Sequence, residues 1–170
     1  MVWVAGCSRR CPGCINRELW DPAGGRDADV RALARDINAA PGLRGVTLSG
    51  GEPLEQAEAV GELLRLLRAD LDRVLFTGYA WDELQADPKK AAVLGSLDFV
   101  VAGRYLREKA LADDPWLASA NQTVHALTGR IRPEEASSGR VEVHIKADRV
   151  SVTGFPERGL LDDLKSRLAG

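Results

Sequence analysis

The sequence predicts an α/β fold built on a parallel sheet, and three observations carry that prediction. Short, largely apolar runs recur at Val2–Ala5, Gly45–Ser49, Arg73–Phe76 and Leu97–Ala102. Segments of helical periodicity separate most of them. Each run ends in an unusual stretch: Cys7, Gly50-Gly51, Thr77-Gly78 and Gly103-Arg104. Apolar strands alternating with helices form a buried parallel sheet with right-handed crossovers. Ligands bind at the carboxyl edge of such sheets, so four stretches scattered in sequence converge on one site.

The elements follow in order. Val2–Ala5 is a buried strand whose terminal Gly6 feeds a cysteine loop. Asp21–Arg26, with its proline and glycines, is a loop. Asp27 caps a helix in which Val30, Leu33, Ala34 and Ile37 share a face, and Pro41-Gly42 stops it. Gly45–Ser49 is the second strand. Leu54–Ala69 is a strong helix with Ala57, Val60, Leu63, Leu64 and Leu67 on one side. After the third strand, Trp81–Leu94 reads as one or two short helices interrupted by Pro88. Leu106–Asn121 is irregular and charged, with a turn at Asp113-Asp114-Pro115, and Val124–Leu127 is a further short strand. Val141–Lys146 and Arg149–Thr153 alternate cleanly, which predicts an antiparallel hairpin turning at Ala147-Asp148. Pro156–Leu168 closes the chain as an amphipathic helix. No repeat, low-complexity tract or linker interrupts this. One domain is expected, with residues 1–129 as core and 130–170 as a hairpin and helix extension.

Composition excludes several classes of function. The 170 residues are 45% hydrophobic and 28% charged, as in a globular protein with a real core. A formal charge of -2, spread along the chain, argues against an electrostatic nucleic-acid binder. No apolar run approaches the roughly 18 residues that span a bilayer. The N-terminus lacks the pattern of a signal peptide, so a cytoplasmic protein is expected. Thiols stay reduced there, and clustered cysteines then read as metal ligands or catalysts.

All three cysteines fall in one loop, Cys7, Cys11 and Cys14, spaced C-x3-C-x2-C. Three thiolates from one loop can hold three corners of a cubane cluster and leave the fourth iron without a protein ligand. An open iron is a place to bind and activate a substrate. Two other readings stand beside it. A structural zinc could take His125 or His144 as fourth ligand, although zinc cysteines usually come as two pairs. A redox pair at Cys11-Pro12-Gly13-Cys14 would leave Cys7 unexplained.

The second signal is Ser49–Pro53, SGGEP. Paired glycines at a strand end let the backbone approach a ligand and adopt positive φ. Pro53 suits the first turn of the next helix. Glu52 stands beside a helix N-terminus, where a carboxylate is stabilised and can receive an ammonium group. The plainer reading is a tight turn with a solvated carboxylate.

Together the two motifs resemble the radical S-adenosylmethionine superfamily. CPGCxN is similar to the activases of glycyl radical enzymes, above all the anaerobic ribonucleotide reductase type. Leu75–Tyr79 (LFTGY), Asp98–Tyr105 (DFVVAGRY) and Ser119–Gln122 (SANQ) extend that likeness along nearly the whole chain. The resemblance implies a shortened, TIM-like (β/α) barrel of roughly six parallel strands, open on one side for a protein substrate. It implies that Cys7, Cys11 and Cys14 ligate a [4Fe–4S] cluster. It implies S-adenosylmethionine contacts at Gly13, Ile15, Gly50, Gly51, Glu52, Pro53, Thr77, Gly78 and Asn121.

The chain departs from the family pattern in places. Ile15 replaces an aromatic residue, Ala102 an aspartate, and Leu117-Ala118 an Arg-Gly pair. The family also carries a short segment before the first strand, whereas Met1 begins inside it. The implied mechanism takes one electron from a flavodoxin- or ferredoxin-like reductant. The cofactor's C5′–S bond then breaks to a 5′-deoxyadenosyl radical, which abstracts a hydrogen from a glycine of the partner enzyme. Arg9 and Arg10 could guide an acidic reductant, or form a solvated charge pair. A radical enzyme acting on a peptide or small molecule, and a non-catalytic metal-binding module of the same fold, are the alternatives.

Overall fold

The computed structural model describes residues 1–112, 114–135, 141–145, 150–154 and 159–168. Its centre is a five-stranded sheet of β1 (Val2–Val4), β2 (Gly45–Gly50), β3 (Asp72–Thr77), β4 (Phe99–Ala102) and β5 (Thr123–Ala126), in that spatial order. The first four strands are parallel, with Trp3 opposite Ser49, Thr47 opposite Val74, and Leu75 opposite Val100. Strand β5 runs antiparallel to β4, pairing His125 with Val100. The α/β class and the parallel alternation therefore hold. The expected six-stranded partial barrel does not appear, because the sheet stays open and its fifth strand reverses direction. The irregular stretch after β4 explains this, since among its described residues there is no crossover α-helix to return the chain in parallel.

Helices α1 (Val30–Ala39), α2 (Ala57–Leu66), α3 (Trp81–Ala86) and α4 (Pro88–Leu94) join these strands. Asp29, not Asp27, caps α1, its side chain accepting from the Ala32 N–H at 2.7 Å. The helix expected over Leu54–Ala69 is a 3-10 turn, Pro53–Gln56, followed by α2. Glu52 binds the Leu54 N–H and tightens that first turn. The short helices expected over Trp81–Leu94 are α3 and α4, and they part at Pro88 as expected: Pro88 opens α4, where Asp87 caps the Lys89 and Lys90 N–H groups. Strands β6 (Val141–Ile145) and β7 (Val150–Gly154) form the expected antiparallel hairpin, with Val143 opposite Val152. Helix α5 covers Leu160–Leu168. The expected turn at Ala147-Asp148, the helix start at Pro156 and Asp113 lie outside the described residues.

Strand alternation divides the core in two. Val46, Leu48, Leu75, Val100 and Ala102 face the helices and pack with Ala34, Val60, Leu64, Leu84 and Val93. Val74, Phe99 and Val101 face the other way and are covered by Phe76, Trp116, Leu117 and Ile131. Phe99 and Trp116 meet with ring centroids 4.3 Å apart. At the amino edge, Asp98 accepts from the Arg73 N–H and the Thr128 hydroxyl, and Arg130 pairs with Asp72. Charge pairing thus fastens the edge opposite the glycine stretches. Among the described residues, no helix is long and apolar enough to cross a membrane.

Leu75 is fully buried between β2 and β4, so Leu75→Ala is expected to cost about 2–5 kcal/mol in equilibrium urea unfolding. Leu111→Ala, at a 39%-exposed position, is expected to stay within about 0.5 kcal/mol of wild type.

Candidate active site

The cysteine loop leaves β1 through Gly6, which adopts φ +100°. The Gly6 N–H donates to the Leu19 carbonyl at 2.9 Å, and the Cys7 N–H to the Trp20 carbonyl at 3.0 Å. The Cys14 N–H donates to the Cys11 carbonyl at 3.1 Å, closing a turn in which Gly13 has φ +83°. Arg10, at φ +42°, is the one non-glycine residue of positive φ among the described residues. All three thiols are free. Cys11 is buried, and Cys7 and Cys14 are half-buried. Burial pushes the Cys7 thiol up, against backbone N–H donors from Arg10 and Arg9 that favour its thiolate.

The SGGEP stretch is fitted to this loop. The Gly51 N–H donates to the Val4 carbonyl at 2.7 Å, and the Glu52 N–H to the Gly6 carbonyl at 2.8 Å. A Cβ on Gly51 would stand 2.3 Å from the Gly6 oxygen and 2.8 Å from the Leu19 oxygen. A Cβ on Gly50, at φ +111°, would meet the Val4 backbone at 2.5 Å. Gly50 is thus required by the close approach of β1, and Gly51 by that of the cysteine loop. Pro53 is buried at the start of the 3-10 turn.

Glu52 is 1% exposed and carries no solvated carboxylate. Its Oε1 accepts from the Leu54 N–H at 3.0 Å and the Thr77 hydroxyl at 2.8 Å. Its Oε2 accepts from the Gly78 N–H at 2.6 Å. One carboxylate therefore joins the ends of β2 and β3. Burial pushes this carboxyl above the usual carboxylate range, against those hydrogen bonds and the nearby charge of Arg9.

Contacts that the motifs did not reveal complete the edge. Arg9 Nη2 donates to both carboxylate oxygens of Glu83 at 3.1 Å, and its guanidinium lies 3.9 Å from the Tyr79 ring centroid. Arg9 is therefore not a free surface charge. Ser8 donates through its N–H and hydroxyl to Glu55, and Gln56 donates to the Ala5 carbonyl. Arg104 donates to the Arg9 carbonyl at 2.8 Å, and Asn121 Nδ2 to the Arg104 carbonyl at 2.8 Å. Sequence reasoning missed these partners because they stand 17 to 95 positions apart. The available signal was the clustering of polar residues just after each strand.

The predicted residues divide accordingly. Cys7, Cys11, Cys14, Gly50, Gly51, Glu52, Pro53, Thr77 and Gly78 gather at the carboxyl edge. Gly13 lies against Arg107 and Tyr105. Asn121 joins the edge through Arg104. Ile15 is 88% exposed and meets none of this. His125 stacks on Trp81 at 3.7 Å and pairs with the Thr123 hydroxyl, so it has partners of its own. A cleft of about 620 Å³ lined by Glu55, Tyr79, Lys89 and Lys90 contains no cysteine, so the chemistry is assigned to the loop.

The donor set fits an iron–sulfur cluster: three free thiols on one anchored loop. Among the described residues, no three His, Cys, Asp or Glu side chains meet at a point that could hold a single metal ion. A cubane needs no such point, because each thiolate binds a different iron. A buried acceptor also stands ready, since Asn121 Oδ1 has no hydrogen-bond partner among the described residues.

The 4Fe-4S single cluster domain family matches residues 1–125. The chain is 32% identical over 136 residues to the anaerobic ribonucleoside-triphosphate reductase-activating protein of Vibrio cholerae, covering 75% of this chain and 86% of that protein. The Escherichia coli K12 protein of the same name is 31% identical over 135 residues, covering 74% and 86%. That of bacteriophage T4 is 30% identical over 137 residues, covering 75% and 83%. No solved structure matches. The chain belongs to the anaerobic ribonucleoside-triphosphate reductase-activating protein family, a family of glycyl radical activating enzymes.

Two outcomes are expected at this edge. Gly51→Ala forces the loop off β2 and should cost about 1–3 kcal/mol by urea unfolding. Glu52 has a folded pKa above its ordinary 4.5, so its contribution is fully present below that value and is lost as pH rises through the folded pKa. The stability difference between wild type and Glu52→Gln should therefore move against wild type from pH 4.5 upward. A difference independent of pH would show that the hydrogen bonds cancel the burial.

Proposed function

We propose that this protein activates an anaerobic ribonucleotide reductase by reductive cleavage of S-adenosylmethionine to a 5′-deoxyadenosyl radical, which takes a hydrogen from a glycine of the reductase. Cys7, Cys11 and Cys14 hold a [4Fe–4S] cluster in this reading. One observation carries it: the only three cysteines share one loop, and that loop is bonded through Gly6 to Glu52 of the second motif. The cluster, when bound, supplies the electron that breaks the sulfonium C–S bond.

The chain's own residues bind, orient and shield. Gly50 and Gly51 keep the backbone close to the loop. Glu52, Thr77 and Gly78 form a buried polar corner for the cofactor's amino end. Asn121 offers its unpaired Oδ1 to a donor of the cofactor. Gly13, Ile15 and Pro53 complete the contact set, Ile15 through its backbone. Residues 1–170 act as one domain, with 1–129 as catalytic core and 130–170 as extension. A flavodoxin- or ferredoxin-like protein supplies electrons, in the cytoplasm.

The test is anaerobic. The protein is reconstituted with iron and sulfide, reduced with dithionite and given S-adenosylmethionine, and 5′-deoxyadenosine is measured by chromatography. Wild type should form it, and Cys11→Ala should lower the yield by about 100-fold or more. Bound zinc in place of iron and sulfide would overturn the reading. So would a fully loaded cluster that binds S-adenosylmethionine without cleaving it.

A further inference from the structure

We propose that an exposed cationic rim beside the cysteine loop, formed by Arg10, Arg104, Arg107 and Lys109, is the docking surface for an acidic, flavodoxin-like electron carrier. The proposal rests on the reading that the cysteine loop holds a cluster. It goes beyond that reading by naming the surface through which the electron arrives. It also takes this task from Arg9, whose guanidinium is held by Glu83 and Tyr79.

Four observations converge. The first is that the rim adjoins the cysteine loop. Arg10 lies inside the C-x3-C interval. Arg104 Nη2 donates to the Arg9 carbonyl at 2.8 Å. A Cβ on Gly13 would stand 3.1 Å from Arg107 Cδ and 3.4 Å from Tyr105 Cε1, so the segment after β4 lies against the turn between Cys11 and Cys14. Lys109 ends the 3-10 turn that Arg107 begins, and its carbonyl accepts from the Ala120 N–H at 2.8 Å. The second is that these charges are uncommitted. All four side chains belong to exposed residues, and among the described residues none of them has an ion-pair partner. Nearby Arg9, Lys89 and Lys90 each hold a carboxylate. The third is that the excess of positive charge is local. The whole chain carries a formal charge of -2, yet residues 104–109 contain three cations and one carboxylate, Glu108. Asp114 does not offset them, because its carboxylate accepts from the Trp116 and Leu117 N–H groups. The fourth is Ile15, directly after Cys14, which is 88% exposed and the most exposed large hydrophobic residue among those described.

Unpaired like charges on one rim repel each other, and an acidic partner relieves that repulsion and is steered toward it. An apolar contact ringed by charge is the anatomy of an interface between separate proteins. Ile15 selects the kind of carrier. A flavin presents the apolar edge of its dimethylbenzene ring, which an exposed isoleucine side chain can meet, whereas the cluster of an iron–sulfur carrier is enclosed by its own polypeptide. One electron passes from the carrier's flavin hydroquinone anion, which becomes the neutral semiquinone, to the cluster. No bond forms and no proton moves.

The experiment uses the full chain as wild type, Arg10→Gln, Arg107→Gln, Lys109→Gln, the triple variant, and Arg35→Gln as an exposed cation on α1. Binding of a purified acidic flavodoxin is measured by calorimetry at low and high salt, before reconstitution. Cluster reduction by flavodoxin hydroquinone is followed by stopped flow after it, with a ferredoxin and dithionite in parallel. Wild type should bind flavodoxin with an affinity that falls as salt rises. The triple variant should weaken binding and slow reduction by about tenfold or more, each single rim variant by about two- to threefold, and Arg35→Gln by less than about twofold. Dithionite should reduce wild type and the triple variant alike. Equal binding and equal rates in wild type and the triple variant would overturn the proposal. So would salt-dependent electron transfer from ferredoxin with none from flavodoxin. A triple variant that takes electrons from flavodoxin normally but no longer activates the reductase would assign the rim to the reductase and overturn it as well. A chain that assembles no cluster and still binds flavodoxin through the rim leaves the docking surface standing and refutes the cluster reading. A fully loaded cluster on a chain that does not bind flavodoxin does the reverse.

Discussion

The buried carboxylate of Glu52 is the constraint on which the rest of the edge depends. It is 1% exposed, yet it bears three donors and its own N–H is spent on Gly6. Through these four bonds it joins the cysteine loop, the end of β2, the turn before α2 and the end of β3. Burying a carboxylate is costly unless donors replace water. Here two backbone N–H groups and a hydroxyl replace it, and they are available only if β2 and β3 end side by side. The parallel register sets that geometry. The site is therefore a consequence of the sheet.

Glu52, Glu55 and Glu83 bring carboxylates to this edge, and Arg9 pairs with Glu83 among them. Its guanidinium is only 19% exposed and pairs with a half-exposed Glu83. A surface ion pair of this kind would stabilise the fold by under about 1 kcal/mol. Its structural contribution lies in what it restrains, since Arg9 stands inside the C-x3-C interval. Lys90 reaches the same Tyr79 ring at 4.6 Å, so the tyrosine carries a cation on the loop side and another on α4.

Much of the fold and part of the site were legible in the sequence. The four parallel strands and the helical periodicities were readable because they are local patterns. Asp29 was missed as a cap in favour of Asp27 because both are suitable residues, and only packing of the first turn decides. The open sheet was missed because a barrel was inferred from likeness, whereas closure depends on where each strand finds a neighbour. Glycines 50 and 51 were read as room for a ligand, yet the backbones of Val4, Gly6 and Leu19 fill that room. Glu52 was read as a possible solvated carboxylate because its partners, Thr77 and Gly78, lie about 25 positions away. The Arg9–Glu83 pair spans 74 positions and has no local signature at all.

A loop that must carry three reactive thiols cannot hold its shape by a backbone ladder. Between Ala5 and Arg9 each residue is instead tied to a residue outside that stretch: Ala5 to Gln56, Gly6 to Leu19 and Glu52, Cys7 to Trp20, Ser8 to Glu55, and Arg9 to Glu83 and Arg104. Ordering a residue costs about 1–2 kcal/mol of backbone entropy, and a free loop would meet that cost when it bound its cluster. Here folding has already met it, because the anchors come from the 3-10 turn before Trp20 and from the turns that follow β2, β3 and β4. Preorganisation of this kind leaves binding energy for the ligand. It also explains why the anchoring residues are polar and short-ranged in space yet remote in sequence: a loop fixed from several strand ends is fixed only when the whole sheet has formed.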